Sequence, residues 1–162
     1  MSRLDSGIRR LLAQKHALED AAARIRGLPG CVLEFGLGNG RTYDHLREIL
    51  PDRDIYVFDR QVAVHPNCVP PEDRMFLGDL FDTLPRAVSQ LAGQAAMIHL
   101  DIGTGDRDAS MALVARAAPD LIKLLKSGAV VVSDQPVDHS SLSPLELPSG
   151  TKSGRIYMAV RV

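Results

Sequence analysis

Four short apolar runs punctuate the middle of the chain: CVLEF at 31–35, IYVFD at 55–59, AAMIHLD at 95–101 and AVVVSD at 129–134. A weaker fifth, RMFLGD, lies at 74–79. Each is too short for a buried helix and carries the β-branched enrichment of strands covered on both faces. Helical patterns separate most of them, at 41–50, about 82–93 and about 107–126, with Pro119 predicting a kink or restart in the last. Strands alternating with helices require a parallel sheet, right-handed crossovers and helices on both faces. The predicted fold is therefore α/β, a three-layer α/β/α sandwich of Rossmann-like type.

The flanks depart from this alternation. Leu4, Ile8, Leu11, Leu12, Leu18, Ala22 and Ile25 recur at helical spacing, so 4–26 reads as an amphipathic helix ended by GLPG at 27–30. Its apolar stripe is expected to cover one sheet face or the ligand cleft. Residues 60–73, with three prolines, predict a loop or one short turn. In the tail, LSPLELP and RIYMAVRV flank SGTKSG, which predicts a hairpin. At 162 residues a single domain is expected, with an N-terminal helix (1–29), a ligand-binding core (30–135) and a C-terminal hairpin (136–162).

Composition narrows the partners. A net charge of −1 gives no electrostatic reason for a polyanionic partner, and no Trp with only three Tyr and four Phe leaves little for stacking bases. Nucleic acid is not expected. No apolar run has membrane-spanning or signal-peptide length, so no membrane is expected either. Cys31 and Cys68 are isolated and fit no metal or redox spacing, which points to a reducing cytoplasm.

Behind the first apolar run, Gly36, Gly38 and Gly40 fall within five positions. A phosphate-binding P-loop would need glycine where Phe35 stands and lysine where Arg41 stands. A dinucleotide fingerprint needs a small residue at position 41, where arginine blocks close helix–strand packing. What remains is Glu-x-Gly-x-Gly-x-Gly at 34–40, followed by Asp59 at the end of the second run, Gly78-Asp79-Leu80 after the third, and Asp101 after the fourth. LLKSGAVVVSD at 124–134, with Ala129 following Gly128, leads into the last apolar run.

This constellation resembles the class I S-adenosylmethionine-dependent methyltransferases over residues 30–135 and, through the hairpin, nearly the whole chain. The resemblance implies seven strands, mostly parallel, with an antiparallel last strand inserted between the fifth and sixth. It implies S-adenosyl-L-methionine as cofactor, contacted by Glu34, Phe35, Gly36, Gly38, Gly40, Arg41 and Thr42 around the glycine loop. Arg60 belongs with Asp59, whose carboxylate would accept the ribose hydroxyls. Gly78, Asp79 and Leu80 would meet adenine, with Asp82 better suited to a helix N-terminus. Glu34 would accept, often through water, from the ammonium group.

Acceptor-side groups should lie beyond the strand carboxyl ends. Asp101, Asp106, Asp134, Gln135 and His139 are the candidates, with Asp101 and Asp134 the catalytic pair. Asp101, Asp134 and Gln135 also resemble the Asp and Asp-Asn ligands of metal-dependent catechol O-methyltransferases, which would hold Mg²⁺. The plainer reading is preferred: Asp101 contacts the cofactor and Asp134 closes a turn. His99 reads as a core histidine, and His16, His45, His65 and Tyr43 as packing, surface or loop residues. With almost no insertions, the chain is expected to methylate a small molecule and to complete its site with its own loops or with a second copy in a homodimer. The alternative is a non-catalytic module that binds an adenosine ligand as a sensor or scaffold.

Overall fold

A computed structural model describes residues 1–162. The order is α1 (Arg3–Arg24), β1 (Cys31–Phe35), α2 (Arg41–Ile49), β2 (Ile55–Asp59), β3 (Met75–Leu77), α3 (Leu80–Leu91), β4 (Ala95–Leu100), α4 (Arg107–Leu124), β5 (Leu125–Ser133), β6 (Leu142–Pro144) and β7 (Tyr157–Arg161). One seven-stranded sheet runs β3-β2-β1-β4-β5-β7-β6. The first five strands pair in parallel, and β7 is antiparallel to both β5 and β6. The inserted last strand and the hairpin expected from the tail are both present.

Alternation along the strands sends side chains to two cores. Leu33, Phe35, Phe58 and Phe76 pack with Leu84 and Leu91 of α3 and Leu121 of α4. Val32, Val57, Met97 and Val130 pack on the other face with Leu18 of α1, Ile25 at its C-cap and Leu46 of α2. Phe35, Phe58 and Phe76 sit in register across three neighbouring strands and stack at 4.1 and 4.7 Å. Each such pair adds about 0.5–1.5 kcal/mol beyond burial and stiffens the strand ends that carry the site.

A capping box starts α1, in which Ser2 and Asp5 satisfy each other's backbone N–H groups. Only its later part covers the sheet: Ala17, Leu18, Ala21 and Ile25 are buried, whereas Leu4 is 72% and Leu12 46% exposed. The sheet-face cover expected of the apolar stripe is thus provided by this later part. Two expectations differ in detail. α4 stays continuous through Pro119, and β5 begins at Leu125, with an irregular register against β4 before Val130. The loop after β2 holds two short 3-10 turns, Pro66–Cys68 and Glu72–Arg74. No helix is long and apolar enough to cross a membrane.

Strand order reverses between β1 and β4, since β1 leads to β2 on one side and β4 lies on the other. Open α/β sheets bind ligands beyond the carboxyl ends at such a switch point.

Candidate functional site

A cavity of about 880 Å³ opens there. Its walls come from the ends of β1 and β2, the glycine loop, the start of α3, the segment after β4, and Arg10, Leu11 and Gln14 of α1. Of the residues assigned to the cofactor from the sequence, Phe35, Gly36, Gly38, Arg41, Thr42, Asp59, Arg60, Gly78, Asp79, Leu80 and Asp101 all line it.

The three loop glycines do different work. At Gly36 (φ +90°) a Cβ would lie 2.1 Å from the Asp101 carbonyl oxygen, so glycine permits the contact between β1 and β4. At Gly40 (φ +86°), the N-cap of α2, a Cβ would lie 2.7 Å from that of Cys68. At Gly38 (φ +51°) a Cβ would meet no protein atom within 4 Å, and this glycine lines the cavity. Of the three, Gly38 alone has open cavity space where a side chain would stand.

Asp59 fastens the loop to β2. Its Oδ2 accepts from the N–H groups of Leu37 (2.9 Å) and Gly38 (3.2 Å), and its Oδ1 from that of Arg60 (2.6 Å). Beyond it, Asp79 is the N-cap of α3, accepting from Phe81 N–H at 2.9 Å. Asp82, expected at a helix N-terminus, sits in the first turn of α3, which Asp79 caps.

Glu34 lies beneath the loop and does not line the cavity. It is fully buried, with one carboxylate oxygen accepting from the Thr42 hydroxyl and the other 2.6 Å from His99 Nδ1. Each oxygen thus has one partner inside the protein, and the carboxylate expected to accept from an ammonium group is not part of the cavity wall. Burial alone would push the fully buried His99 down, but the Glu34 carboxylate outweighs it and holds the imidazole above its ordinary value. The pair joins β1, β4 and α2 under the glycine loop. Gly40 is likewise outside the cavity wall.

A smaller cavity of about 460 Å³ adjoins the first and shares Arg10, Gln14, Asp101 and Gly103 with it. Asp101, Asp134 and Gln135 all face it. Gln14 Nε2 donates to Asp101 Oδ2 at 2.9 Å, and Gly103 N–H donates to Asp134 Oδ2 at 2.9 Å. Asp134 Oδ1 is buried and has no partner. Burial first, and the nearby Asp101 charge second, raise the Asp134 carboxyl above the usual range. Asp106 caps α4 through Ala109 N–H. His139 accepts from Ser141 N–H and does not line the cavity. No group of three or more His, Cys, Asp or Glu side chains is arranged around a common point as a metal site.

Several cavity residues escaped the sequence reading. Gln14 carried a signal: it interrupts the apolar stripe between Leu11 and Leu18 and is nonetheless buried. Arg116, stacked 3.6 Å over the Phe81 ring, and Leu113 line the first cavity from α4 and carried none.

A glycine-lined crevice at the switch point, on a sheet ending in an inserted antiparallel strand, defines the class I methyltransferase architecture. Comparison with known proteins agrees: a family model described as S-adenosyl-L-methionine methyltransferase matches residues 1–161, and the chain belongs to that family, with S-adenosyl-L-methionine as its cofactor. A crystal structure of an S-adenosyl-L-methionine methyl transferase from Silicibacter pomeroyi DSS-3 is similar at 40% identity and TM-score 0.94, covering 100% of this chain and 99% of that one. A provisionally assigned caffeoyl-CoA O-methyltransferase of Staphylococcus aureus (11% identity, TM-score 0.60, 90% and 82% coverage) shares the fold. So does the antibiotic-resistance methyltransferase Kmr (16% identity, TM-score 0.53, 90% and 93% coverage). No protein with a curated description matches the chain.

Proposed function

We propose that this methyltransferase acts on a small-molecule acceptor, with residues 1–162 working as one cofactor-binding unit in a reducing cytoplasm. The observation that carries the reading is the pair of adjoining cavities meeting at Asp101. The larger lies within the roughly 300–1,000 Å³ range of small-molecule sites, and the smaller suits a compact acceptor.

When bound, the cofactor supplies a methyl group already activated on a sulfonium. The chain then has to bind, align and deprotonate. Gly38 and Arg41 would pass along the methionine part, Asp59 and Arg60 would meet the ribose, and Asp79 with Leu80 would bound the adenine. Asp101, held by Gln14, would fix the join between the two ligands. Asp134 would take the acceptor's proton, because it faces the smaller cavity beside Asp101 and its raised affinity for protons suits a general base. Two free cysteines, one buried, are compatible with a reducing compartment.

The test is a panel of small hydroxylated, aminated and thiol acceptors, with and without Mg²⁺, monitored for release of S-adenosylhomocysteine. Release with at least one acceptor, lost in Asp134→Ala, is the expected result. Cofactor binding without release from any acceptor would favour a non-catalytic sensor or scaffold.

A further inference from the structure

The smaller cavity gathers three arginines whose guanidinium groups have no partner in the chain. Arg10 of α1, Arg107 in the first turn of α4 and Arg155 in the β6–β7 connection all line it. None of these guanidinium groups makes a hydrogen bond or an ion pair within the chain. Arg3, Arg9, Arg26 and Arg41 are likewise without such a partner, and Arg86 and Arg116 lie over the Phe76 and Phe81 rings, but these six do not converge on the smaller cavity. Arg24, Arg47, Arg60 and Arg74 pair with carboxylates, and Arg53 donates to the carbonyls of Gly30, Ile25 and Leu28.

The placement of Arg107 adds to this. A cation at a helix N-terminus opposes the helix dipole, whose positive end favours an anion. Three carboxylates line the same cavity, yet none is paired with an arginine: Asp106 accepts from Ala109 N–H, Asp101 from Gln14 and Asp134 from Gly103 N–H. Apolar contact is scarce, since only one of the 13 lining residues is hydrophobic. A planar apolar acceptor would find little to pack against.

We propose that this cavity takes an acceptor bearing an oxyanion group, a carboxylate or a phosphate, read by Arg107 and Arg155, with its nucleophile turned toward Asp101 and Asp134. Arg10, at the join of the two cavities, is open to either ligand. Guanidinium forks suit both kinds of oxyanion through paired charge-assisted hydrogen bonds. This rests on the methyltransferase reading above and narrows its acceptor to a class.

Calorimetry separates the two. S-adenosylhomocysteine is titrated first into wild type and into the Arg107→Gln/Arg155→Gln double variant. Inorganic phosphate and malonate are then titrated into each protein, with and without S-adenosylhomocysteine. Saturable binding of at least one anion is expected, weakened at least tenfold in the double variant and by added salt, while S-adenosylhomocysteine affinity changes less than twofold. Preference for phosphate marks a phosphoryl-bearing acceptor, and preference for malonate a carboxylate-bearing one. No saturable binding of either anion, or equal binding in the variant, would overturn the proposal. So would a short single-stranded RNA that binds through the same two arginines and displaces the anions. Failure of every acceptor to release S-adenosylhomocysteine, with anion binding intact, would instead sink the catalytic reading and leave the subsite standing.

Discussion

Among single residues, Gly36 and Gly38 separate scaffold from site. Gly36→Ala drives a methyl group into the Asp101 backbone carbonyl, which cannot move aside without breaking the β1–β4 pairing, so no folded protein is expected. Gly38→Val meets no protein atom and strains one left-handed residue, at a cost on the order of 1–3 kcal/mol. Circular dichroism should show a native spectrum for Gly38→Val and calorimetry no S-adenosylhomocysteine binding; retained binding would remove the loop from the cofactor site. Asp134 gives a prediction with a definite sign. Its folded-state affinity for protons is raised, so the native state keeps a proton that the unfolded chain has already lost. Stability is therefore lost as pH rises from the ordinary value of 3.8 through the raised one, and stays lost above it. Asp134→Asn removes that charge while keeping an acceptor for Gly103 N–H. Its melting temperature should exceed wild type's at neutral pH by about 2–4 °C for each kcal/mol relieved, with the gap closing as pH falls. Activity should move the opposite way, with the variant inactive and the wild-type rate falling as Asp134 is protonated. A gap that widens in acid would contradict the assignment.

Among the elements, α1 has two halves with different duties. Leu18 is buried against the sheet, so Leu18→Ala should cost about 2–5 kcal/mol in urea unfolding. Leu4, Ile8 and Leu12 are exposed, so replacing all three with serine should leave monomer stability within about 0.5 kcal/mol for each site. If the proposed homodimer uses this patch, light scattering will show wild type as a dimer and the triple variant as a monomer. A wild-type monomer at micromolar concentration would exclude that use. The sequence periodicity revealed the helix but not this division, because a 3.6-residue apolar repeat states only that a face is apolar, not what covers it. The same limit explains Gln14, whose buried bond to Asp101 depends on β4 ending beside α1. Pro119 does not interrupt α4: a missing N–H costs one bond, and Ala117, Ala118 and Leu121 around it are buried.

Across the whole molecule, the strand–helix alternation and hairpin were legible because two-sided burial and turn chemistry leave local marks: Val-rich runs, Gly-Pro stops, the glycine loop. The cofactor crevice followed, since Asp59, Asp79 and Asp101 stand at strand ends that the fold brings to one edge. Glu34 shows where that reasoning stops. Its position in the motif suggested a ligand contact, yet tertiary packing joins it to His99, 65 residues away, inside the protein. The proposed acceptor cavity was illegible for the same cause, as Arg10, Arg107 and Arg155 lie on three separated elements and converge only in the folded chain. The most direct measurement uses S-adenosylmethionine labelled at its methyl group. It is incubated with the protein and either a small-metabolite extract or intact ribosomal subunits. The expected result is label in the low-mass fraction, absent with Asp134→Ala, and none in RNA; label in ribosomal RNA, or in neither pool, would contradict a small-molecule methyltransferase.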